Sequence, residues 1–270
     1  MEVTALYNEK TIFAKWAADM YDSDIGETET DDVDFLLSLM DEKPRNILEV
    51  CCGSGRMLVP LAKAGHKVSG FDADEFMLAK IPDKAKGLEN IGWHKADAVS
   101  SDWGDGFGLV VLGANILYSI TSDMDYAKAQ ELFIKKAAAA LVPGGYVFID
   151  YRPGGHFVTQ NELSTSKSGD SLTIWEGTDS DGNYGRMVLT DLCYDAATGY
   201  DSFTRRFELT LKSGETITQD IPSKKHFALL GQLHEWLEKA GFAIEQEYDG
   251  YTKNPISNET ERAVIYARKL

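Results

Sequence analysis

The stretch ILEVCCGSGRMLVPLAKAGHKVSGFD, residues 47–72, decides the fold of this chain. It begins with a short apolar run, turns at Gly53 and Gly55, and continues into a helical pattern that ends at Gly65. A second apolar run follows and ends at Asp72. A buried strand, a glycine-rich turn, a helix and another buried strand form a strand–helix–strand unit, which predicts a parallel sheet.

The same alternation continues along the chain. The Ala-rich segment from Tyr126 to Leu141 predicts a long helix, and three further apolar runs predict strands at Ile91–Lys95, Leu109–Ala114 and Tyr146–Asp150. Two helices are predicted before the first strand, one from Thr4 to Tyr21 and one ending near Met40. We therefore predict an α/β fold with a doubly wound, mostly parallel sheet.

After Asp150 the pattern changes to short β-prone runs separated by turn signals such as Asp-Gly-Asn and Lys-Ser-Gly-Glu. Residues 156–222 are therefore predicted to form an antiparallel β lobe inserted after strand five. A helix from about Phe227 to Ala240 and a hairpin of two strands, Phe242–Tyr248 and Arg262–Ala267, follow it. The expected parts are an N-terminal helical segment, a core, the insertion, and a C-terminal helix and hairpin that complete the core, at residues 1–42, 43–155, 156–222 and 223–270.

Charge and composition argue against several classes of partner. The net charge of −16 repels a polyanion, and the basic residues are scattered along the chain, so a nucleic-acid partner is not expected. No apolar run approaches the roughly 18–20 residues of a membrane span, and the first residues lack a secretory signal pattern. Three cysteines, of which one must stay unpaired within the chain, favour a reducing compartment. We expect a cytoplasmic protein without a membrane partner.

The glycine turn and two carboxylates carry the ligand chemistry. Gly53 and Gly55 allow a polar ligand to approach the backbone, and Asp72 is placed to accept hydrogen bonds from ribose hydroxyls. Glu49 lies inside an apolar strand, where a carboxylate is costly unless it is paired. Glu49 would repel the pyrophosphate of a dinucleotide but would attract an ammonium group. The pattern favours S-adenosylmethionine over NAD, and a Glu49 paired with a basic residue of the protein is the structural alternative.

Leu48–Gly55 resembles the first motif of the class I S-adenosylmethionine-dependent methyltransferases, which reads roughly hh[D/E]hGxGxG. In this sequence Cys51 stands where the family has its first glycine, and Gly108 stands where an Asp is frequent. We expect Cys51 to alter contacts with the cofactor without abolishing binding, and a redox-sensitive or non-binding site is the alternative. Four later segments resemble further motifs of the family, namely Gly70–Asp72, Lys95–Ala98, Phe107–Tyr118 and Leu141–Gly145.

The resemblance implies a seven-stranded sheet whose last strand is antiparallel and lies between the fifth and the sixth. It implies that Glu49 faces the α-ammonium of S-adenosylmethionine, that Asp72 binds the ribose diol, and that Asp97 binds the exocyclic amine of adenine. The N-terminal segment would cap this site through Tyr21. The expected cofactor-binding residues are Glu49, Cys51, Gly53, Gly55, Asp72, Ala73, Asp97, Ala98, Asn115 and Tyr21. No metal site is expected, because the sequence has no second Cys pair and no His cluster.

The acceptor is less specified by the sequence, because the sulfonium methyl is already an activated electrophile. The expected catalytic residues are Tyr118, Arg152 and His156, with His156 as the candidate base and Arg152 as the candidate partner of a substrate carboxylate. A solvated loop histidine and an ordinary ion pair are the alternatives for these two. The resemblance implies N- or O-methylation of a small molecule by a monomer or homodimer, with the insertion as acceptor lobe. A catalytically silent S-adenosylmethionine-binding protein and an NAD-dependent oxidoreductase stay open.

Overall fold

The computed structural model describes residues 2–24, 31–41, 45–153, 171–195 and 197–270. In chain order the elements are α1 (Glu2–Asp24), α2 (Asp31–Leu39), β1 (Asn46–Val50), α3 (Leu58–Lys63), β2 (Lys67–Asp72), α4 (Glu75–Leu78), α5 (Ile81–Lys84), β3 (Ile91–Lys95), β4 (Phe107–Leu112), α6 (Ile116–Ser119), α7 (Tyr126–Ala140), β5 (Leu141–Tyr151), β6 (Leu172–Thr178), β7 (Tyr184–Asp195), β8 (Tyr200–Thr210), β9 (Thr216–His226), α8 (Leu230–Lys239), β10 (Phe242–Asp249) and β11 (Ala263–Lys269). No described helix is long and apolar enough to cross a membrane.

The chain forms two compact units, and the larger one contains a seven-stranded sheet with the strand order β10–β11–β5–β4–β1–β2–β3. Strands β1 to β5 pair in parallel, whereas β11 pairs antiparallel with both β5 and β10. The last strand therefore lies between the fifth and sixth strands of this sheet, as predicted. The predicted fold class is confirmed, including an antiparallel β insertion after strand five.

Strand β1 lies in the middle of the larger sheet, between β2 and β4. Glu49 is in register with Gly70 of β2 on one side and with Val111 of β4 on the other. Because the three strands are parallel, their carboxyl ends lie at the same edge of the sheet. The turns that follow β1, β2 and β4 are therefore neighbours, although they are far apart in sequence.

The sequence between β2 and β3 predicts one helix from about Asp74 to Ile81, but the structure has a short helix α4 that ends at Leu78 and a second short helix α5 that begins at Ile81. The Asp74 carboxylate caps α4 by accepting hydrogen bonds from the N–H groups of Phe76 (2.8 Å) and Met77 (3.3 Å). Pro82 has no N–H to continue the helical hydrogen bonds, so α4 ends and a new turn begins at Ile81.

The smaller unit contains α1 and an antiparallel sheet with the strand order β6–β7–β8–β9. Helix α1 packs against this sheet through Phe13, Trp16 and Met20, and the Trp16 indole donates a hydrogen bond to the Gly177 carbonyl at 3.2 Å. Phe207 of β8 contacts the Trp16 ring edge-on. The insertion therefore has an apolar core of its own, which it shares with the N-terminal helix.

Gly70 allows β2 to pack closely against α3 and against the turn that follows β1. A Cβ atom at this position would lie 2.7 Å from Leu58 Cδ1 and 2.9 Å from Cys52 Sγ. We expect Gly70→Ala to lower the free energy of unfolding by about 1–3 kcal/mol, because such overpacking forces backbone shifts. Denaturant unfolding measures this change. Gly92→Ala in β3 is the matched control, since a Cβ there meets nothing within 4 Å. Equal stabilities for the two variants would contradict the prediction.

Candidate active site

The turn after β1 passes through the left-handed region of backbone space. Cys51, Gly53 and Gly55 have φ angles of 57°, 52° and 81°. The turn is tied to its surroundings by hydrogen bonds from the Cys52 N–H to the Phe71 carbonyl (3.0 Å) and from the Gly55 N–H to the Cys52 carbonyl (2.9 Å). The positive φ at Cys51 gives a physical reason why glycine suits this position, since a side chain there costs of order 1 kcal/mol.

Burial favours the protonated form of both thiols in this turn. Burial, followed by the charge of Asp72, raises the pKa of the Cys51 thiol, and burial also raises the pKa of the Cys52 thiol. A thiol rather than a thiolate is a poor nucleophile and a poor metal ligand. Cys51, Cys52 and Cys193 are all free cysteines. In the part of the chain that the structure describes, no group of three His, Cys, Asp or Glu residues is arranged to hold a metal ion.

Asp72, at the end of β2, connects the turn after β1 to the turn after β2. Its Oδ2 accepts a hydrogen bond from the Gly53 N–H and its Oδ1 accepts one from the Asp74 N–H, both at 2.9 Å. Burial raises the pKa of Asp72, and these backbone donors act against that increase. A carboxylate has about four lone-pair sites, which the backbone N–H groups of Gly53, Asp74 and Ala73 do not fill, so Asp72 can also accept a hydrogen bond from a diol.

Glu49 is a buried carboxyl group at the carboxyl end of β1, with only 6% of the residue exposed. Its Oε2 has no hydrogen-bond partner among the described residues. Burial raises the pKa of Glu49 to about 8, while the charge of Arg56 and a hydrogen bond from the Leu58 backbone act in the opposite direction. An unsatisfied buried acceptor is costly, so a donor from a ligand would be favourable here.

Arg56 follows the glycine turn directly and forms a buried ion pair with Asp32 of α2. The two guanidinium nitrogens bond the two carboxylate oxygens at 2.8 and 2.5 Å. Asp32 and Arg56 have side-chain exposures of 4% and 8%. A bidentate pair of this kind attaches the start of α2 to the turn. The sequence predicted neither partner, although the position of Arg56 next to Gly55 is a usable signal.

The segment after β3 carries the predicted adenine site. Asp97 is exposed, and its Oδ1 accepts hydrogen bonds from the Ser100 N–H and the Ser100 hydroxyl, both at 2.7 Å. These hydrogen bonds lower the pKa of Asp97. The segment is joined to β2 by a hydrogen bond of 2.9 Å from the Ala96 N–H to the Asp72 carbonyl. The segment predicted to bind adenine is therefore hydrogen-bonded to the residue predicted to bind ribose. Ala98, the residue after Asp97, is buried.

The strand predicted to end at Ala114 ends at Leu112, and Asn115 lies in the left-handed turn that follows it. Its φ is 56°, and Ala114 before it has a φ of 51°. The Asn115 Oδ1 accepts a hydrogen bond from the Arg152 N–H at 3.1 Å, which identifies that atom as the oxygen. The Asn115 Nδ2 is buried and has no partner among the described residues. Two predicted site residues, Asn115 and Arg152, are thus in contact.

Side chains from distant elements hold the loop that follows Asn115. The Lys225 ammonium donates to the carbonyls of Ser119 (3.1 Å) and Ile120 (2.7 Å). The Gln130 amide donates to the carbonyls of Leu117 (3.0 Å) and His226 (2.8 Å). The loop is therefore ordered by α7 and by the end of β9, and no local pattern in the sequence predicted these contacts.

Asp150, near the end of β5, is fully buried in a second charged cluster. The Arg262 guanidinium bonds both of its oxygens at 2.8 Å, and the Tyr251 hydroxyl donates to it at 2.9 Å. Burial raises the pKa of Asp150, with Arg262 acting against that increase. The Asp150 carbonyl accepts a hydrogen bond from the Asn115 N–H at 3.2 Å, so this cluster supports the turn after β4.

The remaining predicted residues are not brought together by the described contacts. The Tyr118 ring is stacked on Phe227 with 4.3 Å between the ring centroids. Tyr21 belongs to α1 in the smaller unit and contacts Trp175 edge-on. His156 lies outside the residues that the structure describes. Ala73 is exposed after β2, where its backbone bonds the Asp72 carboxylate. The roles predicted for these residues stay predictions.

Comparison with known proteins gives a family match in the core. Residues 47–145 match a family model described as a methyltransferase domain. The chain is 24% identical over 240 residues to the putative methyltransferase YqeM of Bacillus subtilis, covering 84% of this chain and 85% of that protein. It is 28% identical over 121 residues to the 23S rRNA (uracil(1939)-C(5))-methyltransferase RlmD of Aeromonas salmonicida. That match covers 38% of this chain and only 28% of the relative, which is less than a third of its length.

Solved structures are similar over nearly the whole chain. An S-adenosylmethionine-dependent methyltransferase from Clostridium acetobutylicum has a TM-score of 0.67 at 16% identity, covering 98% of this chain and 99% of that one. The sugar N-methyltransferase KedS8 from Streptoalloteichus sp. has a TM-score of 0.66 at 15% identity, covering 92% and 90%. At such identities the similarity is one of fold.

The raised pKa of Glu49 predicts how stability depends on pH in the ligand-free protein. Between the ordinary value of 4.5 and the folded value of about 8, the folded chain holds a proton that the unfolded chain has lost. The stabilisation by neutral Glu49 is therefore complete below pH 4.5 and is lost as the pH rises through about 8. We expect Glu49→Gln to gain roughly 2–4 kcal/mol in free energy of unfolding over the wild type between pH 5 and pH 8.5.

Denaturant unfolding of both proteins across this pH range measures the gain. Glu89→Gln is the matched control, because Glu89 is an exposed residue. Parallel pH profiles for wild type and Glu49→Gln would show that Glu49 is not a buried, proton-holding group.

Proposed function

Since this chain carries a methyltransferase domain and has the fold of class I S-adenosylmethionine-dependent methyltransferases, we propose that it methylates N or O of a small-molecule acceptor. The family and the enzyme class predicted from the sequence are confirmed. The cofactor predicted from the sequence, S-adenosylmethionine, follows from both and supplies an electrophilic methyl group on its sulfonium.

The observation that supports the cofactor assignment most directly is the unpartnered Oε2 of Glu49. An α-ammonium group would supply the missing donor and a compensating charge in a dry environment. The pyrophosphate of NAD would instead bring negative charge towards Glu49 and Asp72. An NAD-dependent oxidoreductase is therefore disfavoured by the same residue that favours S-adenosylmethionine.

Most of the proposed contacts with the cofactor come from the ends of three strands, β1, β2 and β3, and from the turns that follow them. We assign Glu49 to the α-ammonium, Asp72 to the ribose diol and Asp97 to the exocyclic amine of adenine. Gly53 and Gly55 allow close approach of the backbone. We assign the other proposed contacts to Cys51, Ala73, Ala98 and Asn115.

Charge and fold together support a small, preferably amine-bearing acceptor. The net charge of −16 attracts cations and repels nucleic acid. KedS8, which has the same fold, is a sugar N-methyltransferase. The RNA-modifying relative matches only 38% of this chain, so it gives little support for a nucleic-acid acceptor. We propose that Tyr118, Arg152 and His156 position the acceptor or remove its proton.

A catalytically silent S-adenosylmethionine-binding protein is the second candidate. Cys51 favours it, because a side chain at a left-handed position that suits glycine can change the contacts at the methionine end. This candidate predicts cofactor binding without turnover. In either case we propose a cytoplasmic protein, since its three cysteines are free. We also propose that it acts as a monomer or homodimer.

Cofactor binding tests the site. We expect calorimetry to detect binding of S-adenosylmethionine and S-adenosylhomocysteine but not of NADH. Asp72→Asn should weaken both adenosyl ligands by tenfold or more, because it removes a charged acceptor of ribose hydrogen bonds. Asp83→Asn is the matched control, since Asp83 is an exposed residue paired only at the surface with Lys86. Binding of NADH alone would overturn the cofactor assignment.

Methyl transfer tests the acceptor class. We expect label from the methyl group of S-adenosylmethionine to appear in a small amine or alcohol when the protein is screened against metabolite fractions. RNA and protein fractions should stay unlabelled. Label found only in a macromolecular fraction would overturn the proposed acceptor class, and tight cofactor binding without any label would favour the silent alternative.

A further inference from the structure

Lys136 of α7 binds the backbone of the predicted adenine segment. Its ammonium donates to the carbonyls of Ala98 (2.9 Å), Val99 (2.6 Å) and Ser101 (2.6 Å). Three acceptors at these distances require three N–H donors, so the side chain is an ammonium ion and not a neutral amine. The Trp103 ring lies beneath it, with 5.6 Å between Nζ and the ring centroid. The ammonium is therefore held in one position by carbonyls and an aromatic face.

The same peptide groups face Asp97 on their other side. The Ala98 carbonyl and the Val99 N–H form one peptide group, and the Val99 carbonyl and the Ser100 N–H form the next. Both N–H groups bond the Asp97 carboxylate, the Ser100 N–H at 2.7 Å. Two peptide groups thus lie between a cation and a carboxylate, with each dipole aligned from one to the other. Aligned hydrogen bonds of this kind polarise and strengthen each other.

We propose that Lys136 is a positioning residue that sets the preference of this site for an adenine base, by orienting the two peptide groups that hold the Asp97 carboxylate. This inference rests on the proposed function, in which Asp97 accepts a hydrogen bond from the exocyclic amine of adenine.

The electrostatics of the segment agree with this role. The hydrogen bonds from Ser100 lower the pKa of Asp97 most, and the positive charge of Lys136 lowers it further. Burial lowers the pKa of Lys136 itself, while the charges of Asp97 and Asp102 raise it. An ionised carboxylate only accepts hydrogen bonds. It therefore favours adenine, which presents an amine, and disfavours hypoxanthine, which presents a carbonyl oxygen at the same place.

The experiment compares two ligands that differ at that single group. Dissociation constants of S-adenosylhomocysteine and S-inosylhomocysteine are measured by calorimetry for the wild type, Lys136→Met, Lys136→Arg and Asp97→Asn. We expect Lys136→Met to weaken S-adenosylhomocysteine about tenfold and to change S-inosylhomocysteine less than twofold, since a charged hydrogen bond is worth roughly that factor. Lys136→Arg should restore part of the preference, and Asp97→Asn should remove it.

Lys135→Met is the matched control, because Lys135 is the neighbouring, exposed lysine of α7 and is paired with Glu131 at the surface. It should leave both constants unchanged. Ser100→Ala provides a second route if Lys136→Met does not fold, since it removes the hydroxyl that donates to Asp97 at 2.7 Å. The preference for adenine should fall in this variant too.

Two results would overturn the inference while leaving the proposed function intact. One is an equal loss of both ligands in Lys136→Met, which would indicate general support of the segment. The other is an unchanged ratio of the two constants in both Lys136→Met and Ser100→Ala. Failure of the wild type to bind S-adenosylhomocysteine would instead overturn the proposed function, and this inference with it.

Discussion

The parallel pairing of β1 with β2 and β4 is the constraint on which the candidate site depends. It places Glu49 in register with Gly70 and Val111, so the turns after three strands lie at one edge of the sheet. The hydrogen bond from the Gly53 N–H to the Asp72 carboxylate then joins the first two of these turns. A single-residue shift in register would move Glu49 to the other face of the sheet and separate it from Asp72.

Around this edge the protein buries more charge than a stable core requires. Asp32 with Arg56, Asp150 with Arg262, and Glu49 with an unpartnered oxygen all lie in the larger unit. Paired buried ions add little net stability, and an unsatisfied carboxyl group lowers it. These groups make sense if the site is incomplete without a cationic ligand. Burial raises the pKa of Glu49 to about 8, so protonation is the least costly way to keep this carboxyl group in place without a counter-charge.

Two lysines, the half-buried Lys136 and the buried Lys225, show how the segments of the site are held. Lys136 binds three carbonyls of the segment after β3, and Lys225 binds two carbonyls of the loop after β4. Each brings a positive charge from a distant element to oxygens that would otherwise need water. The two lysines therefore fix the backbone of these segments through its carbonyl groups. The other polar groups of the segments stay available to bind a ligand.

The sequence by itself determined the order of strands and helices, the antiparallel insertion, and Glu49 and Asp72 as candidate ligands, because hydrophobic periodicity and glycine turns are local properties. It did not predict that one short helix ends at Leu78 and another begins at Ile81, or that Ala114 and Asn115 lie in a left-handed turn. Only the tertiary structure decided that Arg56 pairs with Asp32, 24 residues earlier, and that Lys225 reaches Ile120, 105 residues away. Such pairings depend on how distant elements pack, and no local pattern of residues encodes them.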